Sequence, residues 1–195
     1  MPEVSDGKRA AHMVPVPEDR ARRVSAALEA VHAALGLAQR EAEGAAVDAG
    51  RLRWAALGLV SALQGALVAA LSGYETAEVD AVLDPSHPER IAPVALLLRR
   101  ARSEGFLNPP ERPEIGGSDQ RAIERVMAVR NAAVHALPAG VPENFAADAA
   151  RLAALIRHLV IEAPAFDPAP LRVVTALISD ELRGVQKSLS GAPRD

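Results

Sequence analysis

The chain has no cysteine, which excludes a disulfide framework and any zinc–thiolate site. Aromatic residues are scarce, 3% of 195, so alanine, leucine and valine must build the core. Alanine and leucine favour helix, and the β-branched residues are not gathered into alternating runs, which argues against a sheet protein. An excess of one charge is also lacking. With 22 basic and 25 acidic residues the formal charge is −3, and no global basic surface announces a nucleic acid. All the basic residues except Lys8 and Lys187 are arginine, which with so much alanine reflects a GC-rich genome and is no RNA-binding signature. The first twenty residues, MPEVSDGKRAAHMVPVPEDR, lack the apolar core of a signal peptide.

What the chain does have is apolar surface: 49% of its residues are hydrophobic, enough for a sizeable core and far too many for a disordered protein. One run, WAALGLVSALQGALVAALSGY (54–74), has the length of a membrane span. Ser61, Gln64 and many alanines and glycines make it only moderately apolar, and the neighbouring helices need a buried partner. The expectation is the central helix of a cytoplasmic protein with no membrane contact; a membrane helix is the alternative.

Residues 1–16 carry no helical period and contain Pro2, Gly7 and Pro15, so a loose, disordered arm is expected. A first helix begins near Glu18 with Val24, Leu28, Val31 and Leu35 as its stripe. A second covers about 50–72, apolar on nearly all sides and including Trp54, which is expected in the core. A short helical turn in TAEVDAVLDPSHP and a third helix over about 89–103 follow, and then a proline-rich loop. A fourth helix runs from Ser118, its expected N-cap, to about Leu137, a fifth over about 143–163, and a C-terminal one over about 169–189, whose apolar positions recur almost as heptads. The predicted fold is all-α, a bundle of five or six helices. Its organisation is one helical domain over 17–190, in which 169–190 is an extra C-terminal helix.

The odd residues lie in the fourth helix, in RNAAVH, residues 130–135. At about 100° per residue, Arg130 falls in the middle of the stripe made by Ile123, Val126, Met127, Val134 and Leu137. Glu124, Asn131 and His135 share the flank of that stripe. An unpaired arginine there is costly, so it must meet a carboxylate, a backbone carbonyl or a ligand anion. From geometry alone, a salt bridge fixing helix register remains open beside a functional site.

Arg/His spacings are cheap in an arginine-rich chain, and RLAALIRH (151–158) supplies a decoy. Requiring asparagine directly after the arginine reduces chance matches to roughly one in a hundred such chains, since only Asn108, Asn131 and Asn144 exist. Gln64 reads either as a hydrogen-bonded core glutamine or as a supporting partner of the Arg/His site. His32 reads as a solvent-edge residue, and His12 and His87 lie in loop-like segments without partners.

An R-N-x-x-x-H stretch late in a helical bundle of this size resembles the HEPN domains (higher eukaryotes and prokaryotes nucleotide-binding). The resemblance covers about 20–163, by helix order more than by identity. It implies a metal-independent endoribonuclease with no cofactor, found among toxin–antitoxin and antiphage defence systems, and a homodimer that apposes two motifs across a cleft. Arg130, Asn131 and His135 take the catalytic roles. Glu124 and Gln64 are supporting candidates with no assigned step.

The implied chemistry is attack of an RNA 2′-OH on the adjacent phosphate. Histidine acts as acid or base near neutrality, and arginine's fork opposes the growing charge. The missing cysteines, and the lack of a clustered His/carboxylate set, agree with a metal-free mechanism. Two features depart from the pattern. In one branch of the family a tyrosine, modified by a partner antitoxin, stands two residues after the histidine; here that position is Leu137, and the lone tyrosine is Tyr74. No basic groove shows either, unless folding gathers Arg121, Arg125 and Arg130. The alternative is a catalytically inactive dimerisation or nucleotide-binding module of the same fold. The resemblance also leaves room for an antitoxin or other regulatory protein as a partner.

Overall fold

The computed structural model describes residues 17–190 apart from positions 77 and 139, so the expected N-terminal arm lies outside the described residues. The described chain is an all-α bundle of six helices with one small β-hairpin. The helices are α1 (Pro17–Gly44), α2 (Leu52–Gly73), α3 (Val94–Ala101), α4 (Gly117–Val134), α5 (Phe145–Arg157) and α6 (Arg172–Ser190). The antiparallel strands β1 (Leu83–Asp84) and β2 (His87–Ile91) precede α3.

The moderately apolar run forms α2, which packs against α1, α3, α4 and α5. Residues 49–73 are long and apolar enough to cross a membrane by composition, but 78% of their most apolar stretch is buried in this bundle. Small residues on α2 let α1 approach closely. A Cβ on Gly58 would lie 2.6 Å from the Ala34 carbonyl oxygen and 2.7 Å from the Ala38 nitrogen, and one on Gly65 would lie 2.8 Å from Val31 Cγ2. Because the obstruction at position 58 is backbone, no side-chain rotation relieves it. Gly58→Val is expected to cost about 3 kcal/mol, the upper end of overpacking penalties, and to lower the melting temperature by about 6–12 °C in a thermal melt.

Arg20 at the start of α1 donates to the Glu75 carbonyl just past α2 (2.8 Å), so α1 and α2 run antiparallel. Helices α4 and α5 are also antiparallel, joined by Arg151–Asp119 (2.7 Å) near one end and Arg125–Asp148 (2.6 Å) toward the other. The segment after α5 returns to the C-terminal end of α2, where a Cβ on Gly73 would sit 2.9 Å from the Ala165 carbonyl oxygen. Asn108 in the loop before α4 donates to the Tyr74 hydroxyl (2.8 Å), which brings that loop to the same end. The C-terminal end of α4 therefore lies at the N-terminal end of α2. That relation places the candidate site.

Several boundaries differ from expectation. The third helix begins at Val94, not near 89, because Pro93 occupies the N-cap and the residue before a proline avoids helical backbone. His87–Ile91, expected in part as helix, is the exposed strand β2. Arg100 clamps this hairpin by donating to the carbonyls of Ala81 (3.1 Å) and Leu83 (2.8 Å). Helix α4 is capped by Gly116 and not by Ser118: the Gly116 N–H donates to Asp119 Oδ2 (3.1 Å). Helix α5 passes into a π-helical turn at His158–Glu162. Trp54, expected in the core, is 44% exposed. His87 has an acidic neighbour in Glu89, with Nδ1 3.9 Å from Oε1.

Arg151 holds the Asp119 carboxyl below the usual carboxylate range through a hydrogen bond, and Arg51 does the same for Glu41. A lowered folded-state pKa adds stability above the unfolded value, near 4, and loses it as pH falls through the folded one. The melting temperature of the wild type is expected to fall between about pH 5 and pH 2, and an Asp119→Asn/Glu41→Gln double variant to show a shallower fall in the same scan.

Candidate functional site

Helix α4 buries Ala122, Ile123, Val126, Val129 and Ala132, at the i, i+3, i+4 spacing that points one face at α2 and α5. Arg125 grips Asp148 with both nitrogens, Nε at 2.7 Å and Nη2 at 2.6 Å, which fixes α4 on α5. The arginine hydrogen-bonded to this carboxylate is itself held above its usual pKa.

The C-terminal turn of α4 closes as a Schellman motif. The Leu137 N–H donates to the Ala132 carbonyl (2.9 Å) and the Ala136 N–H to that of Ala133 (3.4 Å). Ala136 takes the left-handed position, φ 52°, which glycine ordinarily fills. His135 is the C-cap residue, exposed and held at the tip of the helix by this turn. Since an L side chain is strained at that φ, Ala136→Gly is expected to raise stability by about 0.5–1 kcal/mol, measured by chemical denaturation.

The 100° step places Arg130 in the middle of an apolar stripe, but Val134 and Leu137 of that stripe are exposed. The buried face is made by Ala122, Ile123, Val126, Val129 and Ala132, and Arg130 sits half-buried at its edge. Its Nη1 donates to Asn131 Oδ1 at 2.9 Å. Its Nε is sealed from solvent and has no hydrogen-bond partner among the described residues. The salt-bridge alternative finds no support there: among the described residues no carboxylate lies within 4 Å of the Arg130 guanidinium. Arg51, Arg112, Arg125 and Arg151 all have carboxylate partners. A buried N–H without an acceptor costs about 1–3 kcal/mol, so Arg130 carries an unmet polar cost that no group among the described residues relieves.

The structure thus joins Arg130 to Asn131 and leaves His135 exposed one turn beyond Asn131. The backbone links the two, since the His135 N–H donates to the Asn131 carbonyl (3.0 Å). Glu124 is exposed and accepts from Gln120 (3.1 Å), not from an arginine. Gln64 donates to the Ala92 carbonyl (3.1 Å), tying α2 to the segment before α3, and makes no hydrogen bond to the Arg130 cluster. No basic groove forms from Arg121, Arg125 and Arg130, because Arg125 is committed to Asp148.

In the decoy, Arg151 is taken by Asp119, and His158 lies in the π turn with its Nε2 buried and unpartnered among the described residues. His32, at α1, approaches Glu181 of α6 at 3.6 Å. Val134 (46% exposed) and Leu137 (54%) flank His135 as apolar surface. Comparison with protein-family models, with curated proteins and with solved structures finds no match to this chain.

Proposed function

We propose that this chain is a HEPN-type endoribonuclease that cuts RNA without a metal ion and acts as a toxin or antiphage effector in the cytoplasm. The observation that carries the reading is Arg130: half-buried, with no carboxylate and no Nε partner among the described residues, beside Asn131 and one turn and a half before an exposed histidine. In the reaction the RNA 2′-oxygen forms a bond to phosphorus and the bond from phosphorus to the 5′-oxygen breaks. The 2′-OH proton passes to a base and the 5′-oxygen takes a proton from an acid, leaving a 2′,3′-cyclic phosphate and a 5′-hydroxyl. His135 serves as acid or base. Arg130 offers its planar fork to the phosphorane oxygens. Asn131 holds that fork in orientation through its side-chain oxygen.

A homodimer supplies the second histidine, so that one copy takes the proton and the other gives it. The exposed Val134 and Leu137 beside His135 support such a contact between copies. The experiment is induced expression in bacteria of the wild type, Arg130→Ala and His135→Ala at matched protein levels. Growth arrest by the wild type, relieved by both substitutions, is expected. Equal growth of all three excludes a constitutively active toxin and favours a catalytically silent binding or dimerisation module of the same fold.

A further inference from the structure

Trp54 is the chain's only tryptophan, and the bundle leaves it open to solvent at the start of α2, a helix otherwise buried over most of its circumference. The opening has a structural cause. Helix α3 has 8 residues against 22 in α2, so it spans about 12 Å of a helix about 33 Å long. The Gln64–Ala92 hydrogen bond marks where its cover begins. Toward the N-terminus of α2 the strip Trp54, Leu57, Ser61 is exposed or half-exposed, at i, i+3, i+7. The antiparallel course of α4 puts Arg130, Asn131 and His135 at this same end.

On α4 a second strip at the same spacing, Met127, Arg130, Val134, is likewise left half-covered or open. Of the arginines next to Trp54 in sequence, Arg51 is paired with Glu41 (2.9 Å) and Arg53 donates to the Gly50 carbonyl (3.2 Å). Arg130 has no such carboxylate partner among the described residues. An exposed indole and a half-buried guanidinium with no carboxylate partner among the described residues, both at one end of the bundle, match the two parts of a single-stranded nucleic acid, its base faces and its phosphates.

We propose that Trp54 is a stacking platform for a nucleobase flanking the phosphate held by Arg130, so that the site takes single-stranded RNA. The inference rests on the RNA reading of the Arg130–His135 site. Trp54 is a positioning residue: it fixes the strand and takes no part in the bond changes. Because stacking tolerates any base, it favours unpaired RNA over duplex without choosing a sequence.

The test uses the full chain and a fluorescein-labelled, single-stranded 2′-O-methyl oligonucleotide, which cannot be cut. Fluorescein anisotropy reports binding, and emission of the lone tryptophan reports stacking. Quenching of that emission at the same concentrations that raise the anisotropy is expected. Trp54→Ala should weaken binding by about 5- to 150-fold, and Trp54→Phe should restore most of it. On a cleavable strand Trp54→Ala should raise KM much more than it lowers kcat.

Binding with unchanged tryptophan emission, and equal affinity of Trp54→Ala, overturns the platform and leaves the RNA reading standing. Emission that follows protein concentration alone puts Trp54 in a contact between copies and also overturns it. No anisotropy change in the wild type overturns the RNA reading, and this inference with it. The quenching readout needs only the wild type, so the result stands even if Trp54→Ala does not fold.

Discussion

Replacing Arg130 by methionine is expected to lower RNA cleavage by about 10²–10³-fold while leaving the melting temperature equal to, or above, that of the wild type. The two halves of this outcome follow from one geometry. Among the described residues the guanidinium makes a single side-chain bond, to Asn131, and carries a buried Nε with no acceptor. Removing that group takes away an unmet polar cost, and the methionine stem keeps the apolar contact of the arginine stem. A structural arginine behaves in the opposite way. Arg130→Lys should keep part of the charge stabilisation but lose the fork, and so fall between wild type and Arg130→Met. His135→Ala should cost about 10²–10⁴-fold, as loss of an acid or base does. Cleavage of a defined RNA, with the 2′,3′-cyclic phosphate followed as product, checks all three against thermal melts of the same proteins.

Arg125 supplies the contrast on the same helix. Arg125→Met strands the Asp148 carboxylate, which is 4% exposed, without its bidentate partner, and a buried unpaired charge of this kind costs about 3–5 kcal/mol. The melting temperature should drop by about 10 °C or more. Asp148→Asn is expected to cost less, about 1–2 kcal/mol, because it leaves behind a guanidinium that is 41% exposed and reaches water. The ranking, with arginine removal worse than aspartate removal, follows from this asymmetry of burial and would reverse if the arginine were the buried partner. Urea denaturation of the two single variants and the double variant decides it. The double should be more stable than Arg125→Met alone, since it removes the stranded charge.

The helices were legible in the sequence wherever their own period decided burial. The stripe Val24, Leu28, Val31, Leu35 is fully buried in α1, and the nearly all-round apolar run became the central helix. The 100° step places Arg130 mid-stripe, but it lies at the edge of the buried face, because Val129 and Ala132 turn inward while Val134 and Leu137 stay exposed. What was not legible depends on partners distant in sequence. Trp54 has the size and hydropathy of a core residue, and it is exposed because α3 is too short to reach it, which no local pattern reveals. The hairpin at 83–91 was hidden by two prolines that read as helix punctuation. Pro93 was a signal within reach, since it forbids a helix running through 89–94. The Arg125–Asp148 grip joins residues on different helices, and a sequence holding 22 basic and 25 acidic residues offers too many such pairs to choose among.

The close seam between α1 and α2 bears on the order in which the parts of this chain assemble. Its contacts join two helices separated by one short turn, so little loop entropy opposes their closure. During synthesis these helices leave the ribosome before α4 exists, and they can zip along Gly58 and Gly65 as they emerge. The RNA-cutting machinery proposed here is added afterwards, when α4 lays Arg130 and His135 beside an α2 already locked to α1. A half-made chain would thus hold a finished scaffold without Arg130 or His135, and the proposed cleavage site would come into being only once α4 is made.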